Sequence, residues 1–549
     1  MKGLSKIREK LIFDVAIVGA GVSGLTAGIR LKQLCPSLEV CILEKSSSIG
    51  DHIVSGCLFN PRALNELLPL WQSQNLPLGT KVQSVKNLYL TESRAFKIPQ
   101  AFTPWSHYSQ DYILNLGELC KWLKTLAESL EVRVFENFTA KEILTNNLGY
   151  VEGVATGPVG LNRNFEKKEF FQDSVEVLAQ QTIIADGADG FLARELRKKF
   201  KLDGLQNLLY EAHPQTYSLG LKEVWETSGN SPGQVVYTFS WPINKGRFRG
   251  FLYTTPVHTH VGIIAGLDYA NPQIDLFEEL QKFKTHPYIK KYLEKGRPIE
   301  FSSKVTEDGG FFSVPKLSFP GGLIIGASGG FCNPITYQGV HLSMKSAMIA
   351  AESICEKGQK SVLSSLEIKS YYENYIKSWA YDELFKHRHI RQAFNSSPLF
   401  GLAYSFRNRK LLSEKSVFYI ENSRKGDNFS ERDCTESAFK HQPPKYVQKD
   451  KKITFDKKDA LELANMIWND QPEFIHLRHG NEQNALYSLK AFDGIEEKIC
   501  PTGVFKYRDS KLYIESHKCI LCGACRLKST RDIVDWSLPE AGTGPRYNY

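Results

Sequence analysis

The run Leu11-Ile12-Phe13-Asp14-Val15-Ala16-Ile17-Val18, followed at once by Gly19-Ala20-Gly21-Val22-Ser23-Gly24, leaves a chain few ways to fold. A short apolar run without strict alternation reads as a strand buried on both faces, the habit of parallel sheets. The helical pattern after it ends near Cys35-Pro36, and Leu38-Glu39-Val40-Cys41-Ile42-Leu43-Glu44 makes the next strand. In such a β-α-β unit the first glycine allows the tight turn and the second lets backbone N–H groups approach a pyrophosphate. The third glycine brings helix and strand together, and the helix N-terminus favours the anion. Glu44 closes the second strand twenty residues after Gly24, where a carboxylate can accept from a ribose hydroxyl. Gly19, Gly21, Gly24 and Glu44 therefore predict a dinucleotide site.

Two returns to the same fold follow, at Thr182–Gly187 and Gly322–Gly326. Ala185-Asp186-Gly187-Ala188-Asp189-Gly190 resembles the second dinucleotide loop of FAD-dependent oxidoreductases. Gly322 to Gly330, with Phe331-Cys332-Asn333-Pro334 after it, resembles the third, where a strand end and the next helix hold the ribityl chain and flavin pyrimidine. Ordinary turns would explain each segment alone but not all three in order. FAD is thus expected, with Asp186, Gly187, Gly326, Gly329, Gly330 and Asn333 joining the site. No second Gly-x-Gly-x-x-Gly serves NAD(P), so electrons are expected from a protein or a small substrate.

Near the C-terminus, Cys519-Ile520-Leu521-Cys522-Gly523-Ala524-Cys525 presents three thiolates on one tight loop, and Cys500-Pro501 supplies a remote fourth. A cubane cluster needs that spread because its irons point to tetrahedral corners. Four thiolates also suit Zn²⁺, but the Cys-x2-Cys-x2-Cys spacing favours iron. One such set predicts one [4Fe–4S] cluster, bound by Cys500, Cys519, Cys522 and Cys525. A flavin exchanges one or two electrons and a cluster one at a time, so the pair joins a one-electron donor to an acceptor such as a quinone.

The remaining composition narrows the setting. Net charge is +9, from 69 basic and 60 acidic residues, which suits an anionic lipid surface or an acidic partner and does not indicate a nucleic-acid binder. Eleven cysteines, seven of them dispersed, point to a reducing compartment rather than a disulfide framework. No apolar run approaches the roughly 18 residues of a spanning helix. The first strand begins so early that no cleaved leader is expected. That reading fits a bacterial protein on the cytoplasmic side, or a chain already stripped of its presequence. No acid–base pair or activated nucleophile is called for, so no catalytic side chain is assigned.

With these elements in place the chain resembles the electron-transfer-flavoprotein:ubiquinone oxidoreductase family over nearly its whole length. The likeness runs through Ile17-Val18-Gly19-Ala20-Gly21, Ile49-Gly50-Asp51-His52, Gln215 to Glu223, Gly266-Leu267-Asp268-Tyr269, Gly309-Gly310-Phe311, Ser313 to Leu317, Asp493-Gly494, the four cysteines, and Gly542 to Asn548. The resemblance implies a mixed α/β and α+β fold. An FAD-binding Rossmann-like domain of glutathione-reductase type would span 11–85, 136–210 and 310–390. A largely antiparallel quinone-binding cap would span 86–135 and 211–309, a membrane-surface helical segment 391–422, and a ferredoxin-like [4Fe–4S] domain 423–549. It also implies reduced electron-transfer flavoprotein as donor, membrane quinone as acceptor, and peripheral attachment. The attachment would be to the cytoplasmic face of a bacterial inner membrane or the matrix face of the mitochondrial one. The chain is expected to act as a monomer.

Several positions depart from the family pattern. The quinone pocket usually carries Tyr-Gly-Gly before a Phe-Leu-Tyr strand, whereas here Arg247-Phe248-Arg249-Gly250 precedes Phe251-Leu252-Tyr253. Arg249, Gly250 and Phe251 are the candidate pocket residues. Near the cluster, Phe505 and Ala524 stand where the family places a Tyr and a Thr, so two hydroxyl donors are missing. Such a loss lowers a cluster potential and suggests a lower-potential acceptor such as menaquinone. The membrane candidates are Leu399 to Phe406, followed by Arg407-Asn408-Arg409-Lys410, and Ile98 to Trp105 with Tyr108. His52, His107, His286 and His341 are weighed as relays for quinone protons, a structural role being favoured for each. Two other functions are compatible: an FAD-dependent reductase of a polyprenyl-like lipid, and a soluble redox-coupling flavoprotein.

Overall fold

The computed structural model describes residues 8–549 apart from 56, 75, 77–78, 104–109, 204–213, 245–246, 358–365, 391–392, 395–397, 409–431, 479 and 531–532. His107, Trp105 and Tyr108, and residues 409–422 of the expected membrane segment, lie outside the described residues.

The first apolar run forms the strand Glu9–Val18 at the centre of an eight-stranded sheet. It pairs in parallel with Val40–Leu43 on one side and Val175–Ile184 on the other. Gly322–Ile324 extends the parallel order beyond Val175–Ile184, and Arg133–Phe135 extends it beyond Val40–Leu43. Val15, Ala16 and Ile17 are fully buried because helices cover one face and a second apolar layer the other. The helix Val22–Leu34 packs against Leu116–Ser129 and Val340–Cys355.

A seven-stranded sheet forms a separate layer. Its order is Arg297–Glu307, Tyr217–Glu226, His258–Gly266, Phe248–Thr254, Gln234–Phe239, Ser84–Leu90 and Ala95–Lys97. All its pairings are antiparallel except that between Gln234–Phe239 and Ser84–Leu90.

The sequence reading places 86–135 wholly in the cap, and the structure departs from that. The helix Leu116–Ser129 buries Leu119, Cys120, Leu123 and Ala127 on the nucleotide layer, and Arg133–Phe135 hydrogen-bonds into the parallel sheet. Asn115 caps that helix by accepting from the N–H groups of Gly117 and Glu118.

The four-cysteine segment is built against the cap. Leu219, Leu221, Phe301 and Val305 of the cap share one core with Cys500, Val504, Phe505, Ile520 and Leu521. The short helix Ile495–Ile499 delivers Cys500, and the hairpin Phe505–Arg508/Lys511–Ile514 follows. That hairpin turns on Asp509 and Ser510 with positive φ, the two-residue turn that matches strand twist. The cysteine loop lies along the sheet's edge strand, where Val305 N–H donates to the Cys522 carbonyl at 2.9 Å.

Candidate functional site: a flavin cavity beside a four-cysteine knot

The two sheets enclose a cavity of about 480 Å³ whose wall includes Gly19, Gly21, Glu44, Asp186, Gly187, Lys304, Tyr337, Cys522 and Arg526. The glycines divide by function. A Cβ on Gly24 would collide with the Gly19 carbonyl oxygen, so this residue serves close helix–strand packing. Gly19 has φ +102°, and a Cβ there would strike the Ala185 carbonyl group. A Cβ on Gly21 or Gly187 would meet nothing within 4 Å, so these two leave open space on the cavity wall.

Glu44 is held at the strand end. Its Oε2 accepts the Ala20 N–H at 2.9 Å, and its Oε1 accepts the Ser46 N–H at 2.9 Å and hydroxyl at 2.8 Å. Asp186 is anchored rather than free: Oδ2 accepts the N–H groups of Leu192 and Ala193, and Oδ1 accepts the Ser328 hydroxyl. Burial pushes its pKa up while those donors pull it back.

The third segment differs from the sequence expectation. Gly326, Gly329, Gly330 and Asn333 do not line the cavity. Gly326–Gly329 makes a short 3₁₀ turn and Gly330 is left-handed at φ +78°. The next long helix begins only at Val340, so Ala327, Cys332, Tyr337, Gly339 and Val340 form that wall instead. Asn333 points inward, its Nδ2 lying 3.2 Å from Glu383 Oε1 and 3.1 Å from His387 Nδ1.

Cys500, Cys519, Cys522 and Cys525 are all buried, and the thiols of Cys519, Cys522 and Cys525 crowd one another electrostatically. Burial and the neighbouring sulfurs push Cys519 and Cys525 far up and Cys522 up to about 12. Iron bound between these cysteines would hold them as thiolates. Backbone donors also face the sulfurs, Val504 N–H to Cys500 and Leu521 N–H to Cys519, both at 3.3 Å. Among the described residues no group of three or more His, Cys, Asp or Glu could hold a single metal ion. Cys500, Cys519, Cys522 and Cys525 share one buried core. Cys522 and Gly523 belong to the flavin cavity's own wall.

Lys45, Lys304 and Arg526 line the same wall, and sequence reasoning missed them. Lys304 Nζ donates to the Leu521 carbonyl at 3.0 Å; burial, with Lys45 and Arg526 nearby, lowers its pKa to about 7. Arg526 Nε donates to Asp189 Oδ2 at 2.7 Å. The available signal was adjacency alone, Lys45 after Glu44 and Arg526 after Cys525.

The candidate quinone residues point in different directions, as alternation along a strand requires. Phe251 reaches the cavity, whereas a Cβ on Gly250 would strike Phe283 and Thr238 on the opposite face. Arg249 is buried, donating to the Ile335 carbonyl at 2.7 Å with its guanidinium 4.9 Å from the Phe239 and Tyr337 ring centroids. Arg247 pairs instead with Asp268 and Asp308. His286 caps a short helix through Nδ1, and His341 Nε2 lies 3.0 Å from Glu383 Oε2. His52 lines the cavity.

A cavity between a Rossmann-like sheet and a largely antiparallel cap, with Cys522 of the four-cysteine knot in its wall, marks an FAD-dependent iron–sulfur oxidoreductase. The ETF-QO ubiquinone-binding family model matches residues 217–306, and the electron transfer flavoprotein-ubiquinone oxidoreductase 4Fe-4S model matches 451–548. The Thi4 family model matches residues 2–65. Electron transfer flavoprotein-ubiquinone oxidoreductase of Oryza sativa subsp. japonica, a mitochondrial protein, is 36% identical over 99% of this chain and 94% of its own. That of Pseudomonas aeruginosa is 35% identical over 98% of this chain and 99% of its own. The chain belongs to the electron transfer flavoprotein-ubiquinone oxidoreductase family. The crystal structure of a geranylgeranyl bacteriochlorophyll reductase-like protein from Thermoplasma acidophilum shares the fold. Its TM-score is 0.56 at 18% identity, over 75% of this chain and 94% of that one.

Proposed function

We propose that this chain takes electrons from reduced electron-transfer flavoprotein and delivers them to a membrane quinone. Bound FAD exchanges one or two electrons and a [4Fe–4S] cluster one, so quinone reduction draws two deliveries and two protons. The observation that carries the reading is the shared wall: Cys522 and Gly523 line the cavity that Gly19, Gly21 and Gly187 open. Gly21 and the helix N-terminus behind it would hold the pyrophosphate, and Glu44 would orient a ribose. Lys45, Lys304 and Arg526 would bring three basic groups to the wall that the flavin and the cluster share.

The acceptor side is read from the helix Pro398–Asn408. Leu399, Phe400, Ala403 and Phe406 share its exposed face, Leu399 being 66% exposed, and Arg407 follows at headgroup level. Its other side places Leu402 against Phe239, whose ring holds the Arg249 guanidinium. A quinone would descend from lipid past Leu402 and Phe239 toward Phe251. Among the described residues no helix is long and apolar enough to cross a membrane. Peripheral attachment of a monomer, to the bacterial cytoplasmic or mitochondrial matrix face, completes the proposal.

Anaerobic stopped-flow mixing with reduced electron-transfer flavoprotein should bleach the flavin, and a ubiquinone analogue should restore its absorbance. Failure of every quinone to reoxidise the protein defeats the reading. Flotation with anionic liposomes checks the surface: Leu399→Glu with Phe400→Glu should leave the protein at the bottom of the gradient.

A further inference from the structure

Arg249 is a buried cation that the fold leaves without a counter-charge. The residue is 7% exposed. Among the described residues the Ile335 carbonyl, 2.7 Å from Nη1, is its one hydrogen-bond acceptor, and no carboxylate pairs with it. A guanidinium carries five N–H donors, so most of them have no acceptor in the protein. Three other buried cations of the cap are neutralised. Lys284 lies 2.8 Å from Glu223, Lys222 lies 3.8 Å from Glu300, and Arg247 pairs with Asp268 and Asp308. An isolated buried charge is costly, so Arg249 calls for an acceptor from outside the chain.

The surroundings that the fold does supply are aromatic. The guanidinium carbon lies 4.9 Å from the Phe239 and Tyr337 ring centroids and 5.6 Å from that of Tyr237. Ring faces hold a cation in place without satisfying its N–H groups. Tyr337 takes a left-handed backbone, φ +53°, which a tyrosine seldom adopts. Its N–H donates to the Asn333 carbonyl at 2.9 Å, and Asn333 Oδ1 accepts the Ile335 N–H at 3.1 Å. Such strain collects where a side chain must be placed for function. Arg249 and Phe251 lie two apart on one face of their strand, and Phe251 and Tyr337 line the flavin cavity. On the other side, Phe239 packs with Leu402 and Ile335 with Tyr404, both on the helix Pro398–Asn408. The guanidinium therefore stands between that helix and the cavity.

We propose that Arg249 binds a ring oxygen of the quinone and holds the negative charge which that oxygen takes up with the first electron. One electron turns the neutral ring into an anion with its charge on the two oxygens. The second electron, with two protons drawn from water, completes the quinol. A cation in a site of low dielectric attracts the anion far more than the neutral ring, so Arg249 stabilises the half-reduced acceptor selectively. A centre that delivers electrons singly needs its acceptor held at that stage.

The inference rests on quinone being the acceptor, which reoxidation of the wild-type protein by a ubiquinone analogue checks separately. Equilibrium dialysis of the oxidised holoprotein compares the hydroxynaphthoquinone lawsone, an anion at neutral pH, with its uncharged methyl ether. The wild-type protein should prefer the anion roughly ten- to hundredfold, the worth of a hydrogen bond to a charged group. Arg249→Gln keeps a donor for the Ile335 carbonyl and removes the charge, so the preference should vanish. Arg249→Lys restores a cation and should recover part of it. A preference that survives in Arg249→Gln overturns the proposal. Should that variant fail to fold, the wild-type comparison decides, and equal affinity for the two compounds refutes the charge-holding role. In turnover with a neutral quinone, Arg249→Gln should lower kcat with KM little changed, and a raised KM at intact kcat counts against the assignment.

Discussion

Replacing Gly21 and Gly24 separately should split cofactor binding from folding within a single loop. At Gly24 an added Cβ falls on the Gly19 carbonyl oxygen and within 3.3 Å of the Ile17 side chain. Ile17 belongs to the central strand and Gly19 follows it directly, so neither can give way cheaply and Gly24→Ala should cost about 3 kcal/mol, the upper end of overpacking. Gly21 has the opposite surroundings. Nothing lies within 4 Å of its would-be Cβ, and its φ of −70° and ψ of 178° suit any residue. Gly21→Val should therefore fold normally while its side chain fills the space meant for the pyrophosphate. Losing two charge-assisted backbone bonds, at roughly 1.5–3 kcal/mol each, removes roughly 3–6 kcal/mol. That corresponds to a loss of roughly two to four powers of ten in FAD affinity. Calorimetry and the flavin-to-protein absorbance ratio after desalting, with FAD titration of the apoprotein, measure the two effects. Full flavin content and unaltered affinity in Gly21→Val would refute the assignment of the open space, as would native thermal stability in Gly24→Ala for the packing argument.

Two further perturbations follow from the same geometry. Phe505→Tyr with Ala524→Thr should raise the cluster midpoint, by about 1 kcal/mol or roughly 40 mV per new donor, as read by EPR titration. A wild-type midpoint no lower than the variant's would sink the idea of a more reducing cluster suited to menaquinone. Asp111 offers a pH test: burial lifts its carboxyl to about 6, against the Gln338 Nε2 that donates to its Oδ2 at 2.6 Å. A raised acid binds its proton more tightly folded than unfolded, so stability is greatest below about 4 and falls by up to about 3 kcal/mol as pH rises to about 6. Asp111→Asn should flatten that slope in denaturant titrations, and an unchanged slope would refute it.

Local signals made the nucleotide loop and the cysteine loop legible, because each motif does its chemistry within a few residues of itself. Gly19, Gly21 and Glu44 reach the cavity wall as their spacing implies, and the four cysteines converge in one core. The third flavin segment was less readable. A strand end followed by glycines tells where a turn falls but not how far the next helix is delayed, and the nine residues 331–339 decide the wall. Leu116–Ser129 shows the same limit at the level of the fold. Its buried spacing of Leu119, Cys120 and Leu123 demands an apolar partner without naming it, and the helix Val22–Leu34 supplied that partner. Lys45, Lys304 and Arg526 come from three distant parts of the chain, and only the fold brings them together.

The segment from Gly542 to Asn548 has a consequence for biosynthesis. Gly542 N–H donates to the Lys45 carbonyl, and Arg546 donates to the Ser47 hydroxyl across 499 positions of sequence. Asn548 accepts from Asn115 and donates to Glu300. A ribosome thus releases the first β-α-β unit long before the residues that seal it exist, and loop closure over such a span is slow. During that interval the nucleotide cleft lacks the segment that later covers it. Maturation in the cell should accordingly leave FAD and iron–sulfur loading interdependent, with chains starved of one group remaining open to proteolysis along this seam.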